Sequence, residues 1–439
     1  MPHATLLQNL KTLLDTAPPG PLRVGYSGGL DSTALLHALC TLPAAREREL
    51  GAIHIDHALH PDSARWAEQC AQFCAALNLP LQIVRVQVDD IADLGLEGAA
   101  RKARHAAFAM HLPTDGVLAL AQHRDDQAET LLIRLLHGAG HEGLAGMRTL
   151  RPFGNGWLWR PLLDIGRDQL RAYATQHALT CIEDPSNADA RHARNHLRHA
   201  VLPALATRWP DATRRIAAAA ARMREESDLL RHVAQQALAA AQGVDPATLS
   251  LRRVRDMAPA LRRLVIGQWL DALGLPRPPP GVWSRLAPDL LDARRDATPL
   301  LSWRGAELRR HRESLYALRP LPAVTVDWSL DWDGETALRL PHGFGTLVLE
   351  PATRIDAITV RPRRGGERIE QPGVRRELRT LLQHLGVPSW TRARLPLLVD
   401  KHGELLAVAD LALSPHFAQV LAVTGARLRW LLNDQLRTD

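Results

Sequence analysis

Apolar and polar positions change rhythm twice along this 439-residue chain. At first, short apolar runs alternate with stretches of helical period. Leu22–Tyr26, Gly51–Asp56, Leu81–Val88 and Val117–Ala121 read as buried strands. Thr33–Leu42, Pro61–Leu77, Gly98–His111 and Gln127–Leu136 read as the helices between them. Strands that alternate with helices at this spacing predict an α/β fold, a parallel doubly wound sheet with helices on both faces. Ligands of such sheets bind outside the carboxyl ends of the strands.

The rhythm changes near residue 212. Ala212–Gln242 is rich in alanine and predicts one long helix that Gly243 ends. Further helices are expected to about residue 275, and Pro276–Pro280 is too stiff for a helix interior. Trp283–Leu315 reads as helical with a short β segment. From about 320 the chain turns β-like, at Ala323–Trp328, Thr336–Leu340 and Thr346–Glu350. Three domains are expected: an α/β domain over 1–211, a mainly helical linker domain with some β structure over 212–350, and a C-terminal α+β domain over 351–439.

Composition narrows the class of protein. Hydrophobic residues make up 46% of the chain, enough for packed cores, and no apolar run reaches the ~18 residues of a membrane span. No signal peptide is visible, so a cytoplasmic protein is expected. The four cysteines, Cys40, Cys70, Cys74 and Cys181, have neither zinc-ribbon nor disulfide-framework spacing and read as idle thiols. The net charge is +7, carried almost wholly by arginine, since lysine occurs only at 11, 102 and 401. A coding bias toward arginine would spread the charge evenly. Instead, residues 191–232 hold nine arginines against four acidic residues, and 361–394 hold nine against three. Two such clusters favour a nucleic-acid partner, because the guanidinium fork matches phosphate. Trp390, near Arg392 and Arg394, is either a base-stacking surface or a core residue.

The chemistry centres on Ser27-Gly28-Gly29-Leu30-Asp31-Ser32, between the first strand and the first sheet helix. Two glycines permit a sharp turn and close approach of a ligand, and the N–H groups opening the helix face an anion. Asp31 would repel phosphates unless Mg²⁺ lies between them. The spacing and the lysine of a Walker A loop are absent. The full S-G-G-x-D-S, in its strand–loop–helix setting, resembles the phosphate loop of the N-type ATP pyrophosphatases, the PP-loop superfamily. That loop grips pyrophosphate while ATP adenylates a substrate oxygen.

Further motifs resemble the lysidine synthase branch of that superfamily. They are His54-Ile55-Asp56-His57-Ala58-Leu59, the E-x-x-A-R-x-x-R element from Glu97 to Arg104, and the H-x-x-D-D-Q-x-E-T element from His123 to Thr130. Gly138–Met147, Arg160-Pro161-Leu162-Leu163, Asp184–Asn187 and Arg194-Asn195-x-x-Arg198 continue the likeness over most of residues 20–205. It resumes at Arg361–Glu367, Leu385–Pro388 and Arg394–Val399. Arg124 and Asp56 depart from the usual residues without removing a group the chemistry needs.

The resemblance implies ligation of L-lysine to cytidine 34 of tRNA(Ile) with a CAU anticodon, consuming ATP and giving AMP and pyrophosphate. It implies catalytic roles for Asp31, Arg104, Asp126 and Glu129. Ser27, Gly28, Gly29, Leu30, Asp31, Ser32 and His57 would bind ATP, with Mg²⁺ on Asp31. Asp126 and Glu129, three apart on one helix face, would hold a lysine ammonium. Asn187, Arg194, Arg198, Arg363 and Arg364 would contact tRNA. No prosthetic group is implied, and a homodimer is compatible with the resemblance without being required by it. A tRNA thiolase would need paired cysteines that are not evident here. A non-catalytic tRNA-binding scaffold would have no use for Asp31, Asp126 and Glu129.

Overall fold

The computed structural model describes residues 2–89, 91–185, 193–294, 297–322 and 327–431. The chain divides into two compact units, 1–229 and 230–439. The division falls inside the long helix Ala212–Ala241 and not at its start, where the sequence placed a boundary.

The first unit is the predicted α/β domain. Its strands are β1 (Leu22–Gly25), β2 (Gly51–Asp56), β3 (Leu81–Arg85), β4 (Val117–Ala119), β5 (Leu150–Phe153) and β6 (Gly156–Trp159). They run in the order β3-β2-β1-β4-β6-β5, parallel except for the outer strand β5. The reversal of order on either side of β1 makes the crevice beside it the natural ligand position. The four predicted strands were legible as short apolar runs, buried by helices in β1, β2 and β4 and only partly covered in the edge strand β3. The β5–β6 hairpin was not anticipated, nor was the first helix, α1 (Pro2–Thr16).

Helices cover both faces. On one face α1, α2 (Leu30–Cys40), α3 (Ser63–Ala76) and α6 (Arg167–Gln176) bury Leu6, Leu10, Leu35, Leu36, Leu39, Cys70, Cys74 and Tyr173 against Leu22, Val24 and Trp159. On the other, α4 (Ile91–His111), broken at Gly95, sets Phe108 and Leu112 on Ile53, Leu118 and Leu158. Helix α5 (Arg124–Leu136) follows β4. Burial pushes the thiols of Cys70 and Cys74 up to about 12 and about 11, so both remain protonated packing groups.

The second unit contains more β structure than expected. Leu300–Trp303, Ala306–His311 and Ser314–Leu318 form an antiparallel sheet with Thr248–Ser250. The apolar residues it gives to the core alternate through Leu301, Ala306, Leu308, Leu315 and Ala317, a period-two pattern that overrides the predicted helix in 283–315. Trp269 and Ile266 of the helix Pro259–Ala272 pack on it. Beyond it lie a seven-stranded and a three-stranded sheet sharing one core. That core takes in Trp332, Leu340, Phe344, Leu347 and Leu349. The C-terminal module therefore begins before residue 351, the expected boundary. Thr346–Glu350 is one of its strands, paired with Arg427–Leu431. Among the described residues, no helix is long and apolar enough to cross a membrane.

Candidate active site at the carboxyl edge of the first sheet

The phosphate loop leaves β1 at Tyr26 and enters α2 at Leu30. Gly28 adopts φ +80°, and a Cβ there would lie 2.3 Å from Ile182 Cδ1 and 2.9 Å from Cys70 Sγ, so both conformation and space demand glycine. The turn is closed by its own side chains. Ser32 Oγ donates to the Gly29 carbonyl at 3.0 Å, and Thr33 Oγ1 to the Gly28 carbonyl at 3.1 Å. Ser27 and Ser32 hydroxyls meet at 3.1 Å. Thr33 N–H returns to the Gly29 carbonyl at 3.0 Å, whereas the N–H groups of the first helical residues have no intrahelical acceptor. Such a helix start presents donors and a positive dipole end to an anion.

Asp31 is the acidic member of this turn. Its Oδ1 is buried and accepts no hydrogen bond. Arg167 Nε stands 3.8 Å from Oδ1, and His123 Nε2 stands 3.5 Å from Oδ2. Burial pushes the carboxyl up, but His123 and Arg167 together bring it below its ordinary value. His123 is itself fully buried, among three carboxylates: Asp31, Asp126 at 3.5 Å and Asp125 at 3.6 Å. These are ion-pair separations. Burial works against the charged imidazole, but the carboxylates outweigh it and raise its pKa to about 10. An imidazolium thus sits at the centre of the acidic cluster at neutral pH.

Helix α5 positions the carboxylates. Asp126 Oδ2 accepts the His123 N–H at 3.0 Å, and Asp125 Oδ2 accepts the Arg167 N–H at 3.0 Å, tying α5 to the start of α6. Gln127 pairs with the Met147 main chain in both directions, at 2.8 and 2.7 Å, which fixes the glycine-containing loop after α5.

Glu129 is fully buried. Arg198 meets it with two N–H groups, at 2.8 and 3.2 Å, and also reaches Asp126 Oδ1 at 3.0 Å. Arg194 Nε lies 3.3 Å from Glu129, and its Nη2 donates to Thr130 Oγ1 at 3.0 Å. Burial raises the Glu129 pKa despite these cations.

This network bears on two expectations. Glu129 faces arginines and presents no oxygen to a ligand. Arg194 and Arg198 satisfy buried carboxylates, so neither points a free charge at tRNA phosphate. Asn187 lies outside the described residues. His57 stands at the end of β2 with a buried, unpartnered Nδ1. Burial and Arg104 lower its pKa, as burial, Arg101 and Arg104 lower that of His105 to about 4. The Arg104 charge is thus felt at His57.

In the second unit, Arg364 is paired with Asp327 at 2.8 Å, and Arg363 faces Glu367 at 3.8 Å. Each thus has a carboxylate near it, at positions the sequence read as tRNA contacts. Trp390 is buried, with Tyr316 at 5.3 Å and His311 at 6.0 Å between ring centroids and the Arg309 guanidinium over it; it is a core residue.

Two residues not assigned from sequence belong to the site. His123 was legible as part of its motif but had no role. Arg167 had no local signal, because only the fold brings the start of α6 to Asp31. Among the described residues, no three or more His, Cys, Asp or Glu side chains form a metal cluster. A cation here would rest on one carboxylate and a ligand's own oxygens.

Comparison with known proteins agrees with this architecture. Residues 2–205 match a PP-loop domain, 249–316 a TilS substrate binding domain and 358–430 a TilS substrate C-terminal domain. The chain is 44% identical over 424 residues to the tRNA(Ile)-lysidine synthase of Xanthomonas axonopodis pv. citri (strain 306), covering 95% of this chain and 96% of that one. Identity to the enzyme of the same name from Xylella fastidiosa (strain 9a5c) is 44% over 423 residues, covering 94% and 95%. For Pseudomonas fluorescens (strain Pf0-1) it is 40% over 443 residues, covering 98% and 96%. With identity sustained across all three modules, the chain belongs to the tRNA(Ile)-lysidine synthase family.

Proposed function

We propose that this ATP-dependent, tRNA-modifying ligase joins L-lysine to cytidine 34 of the tRNA(Ile) that carries a CAU anticodon. The cytosine C2 oxygen is a poor leaving group. Its attack on the α-phosphate of ATP forms the O–P bond, breaks the bond to pyrophosphate and converts that oxygen into part of AMP. The lysine ε-amine then forms a C–N bond at C2, AMP leaves with the oxygen, and the amine gives up a proton. The amine has an unperturbed pKa of ~10.4, so it must be deprotonated to attack.

The loop Ser27–Ser32 binds the pyrophosphate end of ATP with its main-chain donors and hydroxyls. His57, just after β2, and Arg104, on helix α4, flank the nucleotide. Mg²⁺ fits Asp31, whose buried Oδ1 accepts no hydrogen bond, because this ion takes one or two carboxylates together with substrate phosphates. When bound, it would offset the charge on departing pyrophosphate. His123 balances the acidic cluster, so that Asp31, Asp125 and Asp126 can crowd beside an anion site. The observation that carries the reading is the meeting of the phosphate loop with a buried cluster of both charge signs. A zwitterionic amino acid suits such a cluster. Asp126 takes an ammonium, and Glu129 positions Arg198 toward the carboxylate end.

The test is nucleoside mass spectrometry of unmodified tRNA(Ile) incubated with the protein, ATP and lysine. Lysidine is expected at position 34 only when all three are present. Release of AMP with no lysine incorporated would overturn the assignment of the amine donor. Sulfur transfer, the alternative within the superfamily, gains no support from thiols held protonated in the core.

A further inference from the structure

Arg167 opens helix α6, and the main chain around it is fixed. Its N–H donates to Asp125 Oδ2 at 3.0 Å, the Gly166 N–H to Gln169 Oε1 at 2.9 Å, and the Arg124 N–H to the Ile165 carbonyl at 2.9 Å. The side chain is not fixed in this way. Among the described residues its guanidinium makes no hydrogen bond, and its Nε is buried without a partner. That Nε stands 3.8 Å from Asp31 Oδ1, which is buried and accepts no hydrogen bond either. The separation is that of an ion pair and is too long for a hydrogen bond. Two opposite charges thus face each other without closing the gap.

The neighbouring arginines are seated differently. Arg198 gives three N–H groups to Glu129 and Asp126 at 2.8, 3.2 and 3.0 Å, and Arg194 gives one to Thr130 at 3.0 Å. The Arg167 side chain is also 33% exposed, so its guanidinium can turn without repacking a core. The phosphate loop has a use for such a group. Ser27–Ser32 contains no cation, whereas a Walker A loop meets the terminal phosphates with a lysine. When the bond to the α-phosphate breaks, its electron pair stays on the oxygen that pyrophosphate carries away. Negative charge therefore grows beside Asp31. A guanidinium offers a fork that matches two phosphate oxygens.

We infer that Arg167 is the phosphate-binding side chain that this loop lacks in its own sequence. It rests on Asp31 while the crevice is without nucleotide. It turns to the terminal phosphates of ATP, and then to pyrophosphate, when a divalent cation takes its place at Asp31. One carboxylate thus serves two cations in turn, and Asp125 is a positioning residue that holds the Arg167 main chain in reach of both. The inference rests on the loop holding the pyrophosphate end of ATP.

The test is pyrophosphate binding by the full chain, measured by calorimetry with Mg²⁺ and again with EDTA. With Mg²⁺, Arg167→Gln should bind pyrophosphate about tenfold to a hundredfold more weakly than the parent, the worth of a charge-assisted hydrogen bond. Arg167→Lys keeps the charge and loses the fork, and should fall between the two. With EDTA, Asp31→Asn should bind pyrophosphate more tightly than the parent, because it removes a repelling carboxylate and frees Arg167. Adding Arg167→Gln to Asp31→Asn should then cost about tenfold or more. A residue that only neutralised Asp31 would cost nothing there, since no carboxylate is left to neutralise. Equal affinities of Asp31→Asn with and without Arg167→Gln would overturn the proposal. Arg167→Met, which keeps the packing of the stem, repeats each comparison with a second uncharged variant, so misfolding of one leaves the other decisive. A parent that binds no magnesium pyrophosphate sinks the loop assignment beneath the proposal. A parent whose binding is unchanged by loss of the Arg167 charge sinks the proposal alone.

Discussion

Arg198→Met isolates the energetics of the buried network. The substitution keeps most of the side-chain volume but removes three short N–H donations to Glu129 and Asp126. Removing one partner of a buried ion pair costs about 3–5 kcal/mol, because the other charge stays buried. Arg194 still lies 3.3 Å from Glu129, so the lower end, about 3 kcal/mol, is expected. In a unit of this size, spanning residues 1–229, each kcal/mol moves Tm by roughly 2–4 °C, which gives a fall of roughly 6–12 °C.

The dependence on pH provides a second signature. The folded pKa of Glu129 is already raised by burial, and loss of Arg198 raises it further. A carboxyl whose folded pKa exceeds its unfolded value binds more protons when native. Its presence therefore lowers stability as pH rises through the interval between the two values. The variant's deficit should be largest at neutral pH and shrink as pH falls toward the ordinary carboxylate range. Thermal melts of parent and variant at pH 8 and pH 5.5, followed by circular dichroism, measure this. Arg198→Lys should recover part of the loss. A deficit under about 2 °C, or one that does not change with pH, would refute the claim that Arg198 neutralises a buried carboxylate.

Asp31→Asn should abolish AMP formation while the far-ultraviolet spectrum stays native; normal turnover in the folded variant would remove Asp31 from the chemistry. Gly28→Ala should cost about 2–5 kcal/mol and weaken ATP binding, since it combines left-handed strain with overpacking against Ile182 and Cys70. Unchanged melting and nucleotide affinity would contradict the tight turn. Asp126→Asn should raise the lysine KM far more than the ATP KM. The reverse result would place Asp126 with the nucleotide.

Much of the first unit was legible because its signals are local. Each of the first four strands is a short apolar run, and the phosphate loop announces itself by glycines between a strand and a helix. Helix α1 carried a readable period in Leu6, Leu10 and Leu14 that was nevertheless not used. The antiparallel sheet over 300–318 was hidden by charged residues within its strands, such as the half-buried Arg309 and the buried Glu307 and Arg310. Charge pairing was the least accessible layer. Arg198 lies 69 residues from Glu129 and 72 from Asp126, and no sequence spacing says that a helix in one place will deliver its guanidinium to a helix in another. Arginine clustering therefore pointed to a polyanionic partner for the chain as a whole but not to the buried carboxylates that Arg194 and Arg198 meet.

The outermost strand of the first sheet has a consequence for how copies of the protein behave in a crowded solution. Strand β5 runs against its neighbour and carries Pro152 opposite Trp157 and Arg151 opposite Leu158. A proline has no N–H to offer an incoming strand, and a charged neighbour makes a continuous apolar contact costly. That border of the sheet resists recruiting further chains by edge-to-edge pairing. The opposite border, Leu81–Arg85, has no proline and leaves Ile83 exposed. Self-association under stress should begin there, which makes the two sides of one sheet unequal in their tendency to seed aggregates.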